Sequence, residues 1–271
     1  MNIIGWNCRG IGGPRKYQFI KDLLNSTQAD ILFLSETKAS TDRMKKFIPT
    51  LPLKNHAFYA SKGLSGGIAL CWSDTINLQV LEVTQNHIWA KIIYPYKPPW
   101  YLIGVYGDPT RTYNKKFWDY LQQILLLNTP TCITGDFNAI SSSGDKHGGN
   151  SKLKTDDISF QKFISNSGLL DLDFSGPAYT WVGRQHTSSP IFERLDRFLV
   201  TPTWLSRYPS SMVKHLPRIH SDHSPIILKT DGFKPIKKQF RVEHSWFLDK
   251  DFSSLCEHYW SSSQNSVRDM S

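Results

Sequence analysis

Ile133-Thr134-Gly135-Asp136-Phe137-Asn138 is a β-branched run that ends in glycine and an Asp-x-Asn pair. It reads as a strand over 131–135 running into a turn. Side chains alternate along an extended chain, so Asp136 and Asn138 project to the same side where the strand leaves its sheet. A carboxylate and an amide are thereby held together at a strand end. Gly, Asp and Asn are also the common turn formers, so the pair taken singly fits a plain turn as well as a site.

On both sides of this run, short apolar stretches bounded by Gly, Pro, Asn and Asp recur along the chain, which favours many strands over a helical bundle. Strands are expected at 2–8, 30–34, 56–60, 66–72, 76–83, 87–94, 100–106, 131–135, 178–182, 193–200 and 224–229. Helical spacing marks 15–26 (Tyr17, Phe19, Ile20, Leu23, Leu24), 113–127 (Phe117, Tyr120, Leu121, Ile124, Leu125) and 155–167 (Ile158, Phe160, Phe163, Ile164). Each has a polar face and so should cover a sheet, and 56–106 reads as consecutive antiparallel strands. Two groups of strands with helices outside predict an α+β fold of two packed sheets flanked by helices.

A chain of 271 residues holds one main domain and a remnant. The boundary is expected near Lys229 to Lys238, where the Pro-interrupted basic segment comes after the last clear strand. This gives a main domain at 1–230 and a linker-like piece at 231–271. The net charge of +9 lies wholly in the first part, because residues 231–271 hold six basic and six acidic side chains. A basic excess favours polyanionic partners. Cys8, Cys71, Cys132 and Cys256 lack any paired metal spacing and read as free thiols in a reducing compartment. Neither a signal-peptide pattern nor a membrane-length apolar stretch is visible, so an intracellular protein is expected, with the nucleus open to it and no membrane association. No obligate protein partner is inferred.

Further polar residues stand at strand ends. Asn7 lies in Trp6-Asn7-Cys8-Arg9-Gly10, and Glu36 comes directly after Leu32-Phe33-Leu34-Ser35, where it could also cap a helix beyond it. Tyr106 closes Ile103-Gly104-Val105-Tyr106, as a core aromatic or a site residue. Asp196 sits inside the apolar run after Glu193-Arg194-Leu195 and needs a partner there. Asp222 and His223 precede the strand at 224–229.

Taken in order, Asn7, Glu36, Asp136 with Asn138, Asp196, and Asp222 with His223 resemble the endonuclease/exonuclease/phosphatase superfamily over residues 1–230. The resemblance implies a four-layer α/β/β/α sandwich of the deoxyribonuclease I type, with the active site in the cleft where both sheets end. It implies Mg²⁺ or Mn²⁺ as cofactor, with Glu36 the direct ligand, Asn7 in the metal site and Asp222 a further acid near it. Asp136 would orient or deprotonate the attacking water, Asn138 would hold the phosphate, and His223 would act at the scissile phosphate, oriented by Asp196. Tyr106 would lie beside that phosphate. Such a donor set suits a hard divalent cation that neutralises non-bridging oxygens while a nucleophile is aligned.

Within the superfamily, several segments resemble the apurinic-type endonuclease of plant LINE-type (non-LTR) retrotransposons. They are Trp6-Asn7-Cys8-Arg9-Gly10, Asp145-Lys146-His147-Gly148-Gly149, Gly168-Leu169-Leu170-Asp171-Leu172, Tyr179-Thr180-Trp181, Glu193-Arg194-Leu195-Asp196-Arg197 and Ser221-Asp222-His223-Ser224-Pro225-Ile226. By that resemblance the substrate is double-stranded DNA, nicked on one strand to leave a 3′-hydroxyl, and Thr180 lies near the DNA-contacting surface. Arg9, Lys115 and Lys116 are phosphate-contact candidates from charge alone. Asp145 stands where glutamate is commoner, and the reverse transcriptase that adjoins such endonucleases is missing, so the chain reads as a truncated or separately encoded endonuclease. Two other readings stay open: a phosphatase or phosphodiesterase of the same superfamily acting on phosphoinositides or nucleotides, and a non-catalytic DNA-binding remnant.

Overall fold

The computed structural model describes residues 1–233 apart from 64, 111–113, 126–128, 151 and 186, together with 251, 252 and 254. The chain divides into two units, Met1–Phe233 and Lys234–Ser271, and all three sheets lie in the first. Cys256 and most of the segment 231–271 lie outside the described residues.

In chain order the elements are β1 (Asn2–Asn7), α1 (Pro14–Thr27), β2 (Ile31–Ser35), α2 (Thr41–Phe47), β3 (Asn55–Tyr59), β4 (Ile68–Trp72), β5 (Leu78–Val83), β6 (His87–Ile92) and β7 (Trp100–Tyr106). Next come α3 (Asn114–Leu125), β8 (Thr131–Asp136), β9 (Lys146–His147), α4 (Thr155–Asn166), β10 (Leu170–Asp171), β11 (Phe174–Ser175) and β12 (Trp181–Gly183). The last are β13 (Ile191–Glu193), β14 (Asp196–Val200), α5 (Pro202–Arg207), β15 (Met212–His215) and β16 (Ile226–Lys229). One sheet runs β11-β15-β16-β1-β2-β4-β3, a second runs β10-β14-β8-β7-β6-β5, and a small third is β12-β13-β9. β1 with β2, and β7 with β8, are parallel pairs joined by the crossover helices α1 and α3.

The layering arises from alternation along strands that are buried on both faces. In β2, Ile31 and Phe33 enter the core between the sheets, while Leu32 and Leu34 pack outward under α1 and α2 with Ile20, Leu24, Met44 and Phe47. In the other sheet, Leu102 and Phe198 face inward, and Ile103, Val105, Ile133 and Leu199 face outward onto Trp118, Leu121, Phe160 and Phe163 of α3 and α4. Burying each such aromatic or branched side chain contributes about 1.5–3 kcal/mol. The result is the expected α/β/β/α sandwich. Among the described residues no helix is long and apolar enough to cross a membrane.

At the middle of the sandwich two glycines let the sheets approach closely. A Cβ on Gly104 would lie 2.2 Å from Phe33 Cδ2, and one on Gly135, whose φ is +136°, would lie 2.0 Å from the Val105 carbonyl oxygen. The Phe33 ring fills the space both leave, which brings the ends of β1 and β2 against those of β7 and β8.

Three sequence expectations are corrected by this packing. The segment 56–106 is not one antiparallel series: β3 and β4 belong to the first sheet, and the chain crosses to the second between Trp72 and Leu78. The run 193–200 is two strands, β13 and β14, bent at Arg194-Leu195, so Asp196 opens a strand rather than lying within one. Glu36 caps no helix, because α2 begins at Thr41 with Ser40 as its cap.

Candidate active site

Neighbouring strands carry the site residues to one edge of the sandwich. β7, β8 and β14 lie side by side in a register that sets Tyr106 and Asp196 on either side of Asp136. In the opposed sheet β1 and β2 end in register at Asn7 and Ser35, one residue before Glu36. The loop that holds His223 is pinned to β1: the Trp6 indole donates to the His223 carbonyl at 3.1 Å, and the Ser221 hydroxyl donates to the Asn7 carbonyl at 2.8 Å.

Asn7 is the junction. Its amide nitrogen donates to Glu36 Oε1 at 3.0 Å and to Asp136 Oδ2 at 2.8 Å, and its oxygen accepts from the Arg9 backbone N–H. Two carboxylates from different sheets thus converge on one side chain. The Tyr106 hydroxyl donates to Glu36 Oε1 at 3.2 Å, and Lys38 Nζ lies 2.9 Å from the other oxygen. Burial alone would raise the Glu36 carboxyl, but the hydrogen bonds from Asn7 and Lys38 and the Lys38 charge outweigh it and hold the group below its ordinary value. The Tyr106 phenol is pushed up by burial and then by the charges of Glu36 and Asp136, so it stays a donor.

Deeper in, His223 Nδ1 and Asp196 Oδ2 are 2.8 Å apart, and His223 Nε2 faces Asp136 Oδ2 at 3.7 Å. Burial would lower this imidazole, yet Asp196 and Asp136 raise it to about 9, so it is an imidazolium at neutral pH. Burial drives the Asp136 carboxyl up, the His223 charge opposes that, and Asp196 adds to it. The ring thus lies between two acids: Asp196 is hydrogen-bonded to Nδ1 and fixes its orientation, while Nε2 faces Asp136 at 3.7 Å, beyond hydrogen-bond distance.

Asn138 is fixed at the end of β8 by two hydrogen bonds. Its backbone N–H donates to Asp136 Oδ1 at 2.8 Å and its amide donates to the Gly107 carbonyl at 2.9 Å. Asp222 accepts from the Trp181 indole at 3.1 Å and is ion-paired with Arg9, while its other oxygen is buried without a partner. Arg9, Glu36, Lys38, Asn138, Asp222 and His223 all line a cleft of about 420 Å³, whose walls also carry Lys146, Lys154 and Trp181. Arg9, Glu36, Lys38 and Asn138 hold left-handed backbones, with φ between +46° and +50°.

Of the residues expected from the sequence, Asn7, Glu36, Tyr106, Asp136, Asn138, Asp196 and His223 are joined in one network, with Asp222 and Arg9 paired on its rim. Thr180 is not on the surface. It is fully buried, and its hydroxyl accepts from the backbone N–H groups of Leu195 and Asp196 at 3.0 Å each, so it fixes the Asp196 main chain rather than meeting DNA. Lys115 and Lys116 lie on α3, where Lys115 is paired with Asp119, and neither lines the cleft. Lys38, Lys146, Lys154 and Trp181 are cleft residues that sequence reasoning missed. Surface lysines have no distinctive spacing, although Trp181 adjoins Thr180 within a segment that carries the retrotransposon resemblance.

The donor chemistry fits a hard divalent cation on the Glu36 side. Glu36 is partly open to the cleft, its oxygens are held by the Asn7 amide, the Tyr106 hydroxyl and the Lys38 ammonium, which a cation would displace, and Asp222 offers an unpartnered oxygen. Asp136, Asp196 and His223 also bring ligand atoms within 4.8 Å of one another. All three are buried, His223 Nδ1 is committed to Asp196 and Nε2 faces Asp136 at 3.7 Å without a hydrogen bond, so this trio suits proton and charge chemistry better than a metal.

The profile of the Endonuclease/Exonuclease/phosphatase family matches residues 4–223, a span that contains every residue of the network. The chain belongs to this family. No curated protein matches it in sequence. Among solved structures it is similar to the 3′-5′ exonuclease from Neisseria meningitidis, with 18% identity over 84% of this chain and 99% of that one and a TM-score of 0.65. It is also similar to the AP endonuclease from Leishmania major, with 16% identity over 84% and 86% and a TM-score of 0.67. The endonuclease domain of a telomere-specific non-LTR retrotransposon matches with 13% identity over 84% and 96% and a TM-score of 0.63. Identities this low establish a shared fold. Family membership makes the cleft that of a hydrolase of phosphate esters, a nuclease or a phosphatase.

Proposed function

We propose that the chain is a Mg²⁺- or Mn²⁺-dependent phosphodiesterase that nicks one strand of duplex DNA and leaves a 3′-hydroxyl, derived from a LINE-type retrotransposon of plants. The observation that carries this reading is the buried Asp196–His223–Asp136 cluster beside the Asn7–Glu36 pair, at the floor of a cleft whose walls bear Arg9, Lys38, Lys146 and Lys154. Arg9, Lys38 and Lys146 are paired with Asp222, Glu36 and Glu193 of the same cleft, so the walls carry a small basic excess together with N–H donors, which suits a phosphate polyanion. The DNA hairpin bound to the Neisseria 3′ phosphatase and the retrotransposon endonuclease domain support DNA as that polyanion.

The chemistry divides among named groups. A bound cation, held by Glu36 with Asn7 and Asp136 beside it, would neutralise the non-bridging oxygens. Asp136 accepts a proton from the attacking water. His223, as imidazolium, donates a hydrogen bond to the phosphoryl oxygen as negative charge grows, and Asp196 keeps the ring in place. Asn138 holds the phosphate, and Tyr106 keeps Glu36 oriented.

Relaxation of supercoiled plasmid in Mg²⁺ is the test, with a polymerase-extension assay for the 3′-hydroxyl. Chelator, Asp136→Asn or His223→Ala should each lower the nicking rate by about 10²–10⁴-fold without unfolding the protein. Release of phosphate from inositol phosphates without nicking would overturn the nuclease reading. DNA binding without hydrolysis of either substrate would instead leave a non-catalytic remnant.

A further inference from the structure

A second groove, about 950 Å³, opens from the active-site cleft and shares Arg9, Trp181 and Asp222 with it. Its other walls carry Arg184, Gln185, Thr187 and Arg218. Arg184 and Arg218 are exposed, and among the described residues neither has an ion-pair partner. The single carboxylate in the groove, Asp222, is already neutralised by Arg9. The groove is therefore a net positive surface joined to a phosphoester site.

It is also fixed in register with the catalytic histidine. Trp181 forms an isolated antiparallel bridge with His223, Val182 N–H donates to the Asp222 carbonyl at 3.1 Å, and Ser224 N–H donates to the Thr180 carbonyl at 2.7 Å. Segment 180–182 is thus bonded directly along 222–224. Arg184 is the first residue after β12 and has a left-handed backbone, so it turns out of the strand within about 10 Å of the His223 position, the most that three residues of chain can span.

Resting on the nuclease reading, we propose that this groove is a subsite for the sugar-phosphate backbone of the DNA strand beyond the scissile bond, with Arg184 and Arg218 as its phosphate contacts. A free inositol phosphate or nucleotide would occupy the cleft and leave the groove empty. The subsite therefore selects a polymer over a small ester.

The experiment measures duplex binding by fluorescence anisotropy against salt, alongside plasmid nicking and hydrolysis of bis(p-nitrophenyl) phosphate, in wild type and in Arg184→Ala/Arg218→Ala. Each lost phosphate contact lowers the slope of log affinity against log salt by about 0.9. Two contacts make the wild-type affinity fall about twelvefold more than the variant's between about 50 and 200 mM salt. Nicking should drop with it, while hydrolysis of the small ester stays unchanged. An unchanged slope and nicking rate would overturn the groove assignment alone. Equal losses on both substrates would overturn it too, by showing damage to the cleft. A wild type that hydrolyses the small ester but neither binds nor nicks DNA removes the nuclease reading, and this one with it.

Discussion

Replacing Arg197 with methionine should be among the most destabilising single changes in the domain, although its side chain bonds to no residue of the network in the cleft. Its guanidinium is fully buried and lies 2.6 Å from Asp145 and 2.5 Å from Asp171. Arg194 completes a ring, 2.6 Å from Asp171 and 3.5 Å from Asp145. Asp145 also accepts from the backbone N–H groups and hydroxyls of Ser141 and Ser142, so the ring ties the loop after β8 to β10 and to the bend before Asp196. Without Arg197, two acids share one guanidinium that lies closer to Asp171 than to Asp145. Removing one partner of a buried ion pair costs about 3–5 kcal/mol. For a domain of this size that lowers Tm by about 6–20 °C. Thermal unfolding monitored by circular dichroism measures it, and Asp145→Asn in both backgrounds supplies the coupling. Burial would raise the Asp145 carboxyl, but the Arg197 charge, the Ser141 hydrogen bond and Arg194 together hold it low. Its contribution is therefore present above its unfolded value near 3.8 and is lost only as pH falls through the lower folded one. A Tm change under about 2 °C, or costs for the two substitutions that simply add, would refute this account of the ring.

Three other changes are expected to have measurable effects. Burial beneath Phe174 lowers His215 to about 4, so the folded protein keeps it neutral while the unfolded chain takes up a proton below about 6.5; stability should fall by up to ~3 kcal/mol from pH 6.5 to 4, and His215→Asn should flatten that slope in denaturant titrations. Tyr106→Phe removes the hydroxyl that orients Glu36 and should lower kcat about ten- to a hundredfold with little change in Tm, a hydrogen bond to a charged group being worth about 1.5–3 kcal/mol. Gly135→Ala places a Cβ 2.0 Å from the Val105 carbonyl on a backbone at φ +136°, and should cost on the order of 3 kcal/mol, read as a lower denaturation midpoint at unchanged slope.

The layers were legible because β1, β2, β7 and β8 are buried on both faces, so runs such as Ile31-Leu32-Phe33-Leu34 and Leu102-Ile103 show no polar alternation. The sheet switch after Trp72 was not, since period-two alternation says which face a side chain takes and nothing about which sheet receives it. β15 alternates exposed and buried over four residues only, and β9 and β12 are two and three residues long, too short for any period. Strand-end polarity exposed Asn7, Glu36 and Asp136, Asp196 stood out as an acid within an apolar run that needed a partner, and its pairing with His223 came from the family resemblance. Thr180 was misplaced because threonine serves equally in a core or on a surface. The Arg197 ring joins residues 26 and 52 positions apart in the chain, and no local pattern carries such a pairing.

The left-handed backbones of Arg9, Glu36, Lys38 and Asn138 have a consequence for any attempt to make this protein hardier. Each such conformation in a residue with a side chain carries about 1–2 kcal/mol of strain, which glycine would release. A selection for heat resistance alone should therefore be drawn toward glycine at these four places. The survivors would be sturdier proteins with an emptied cleft, because glycine at each of these places removes a side chain that lines it.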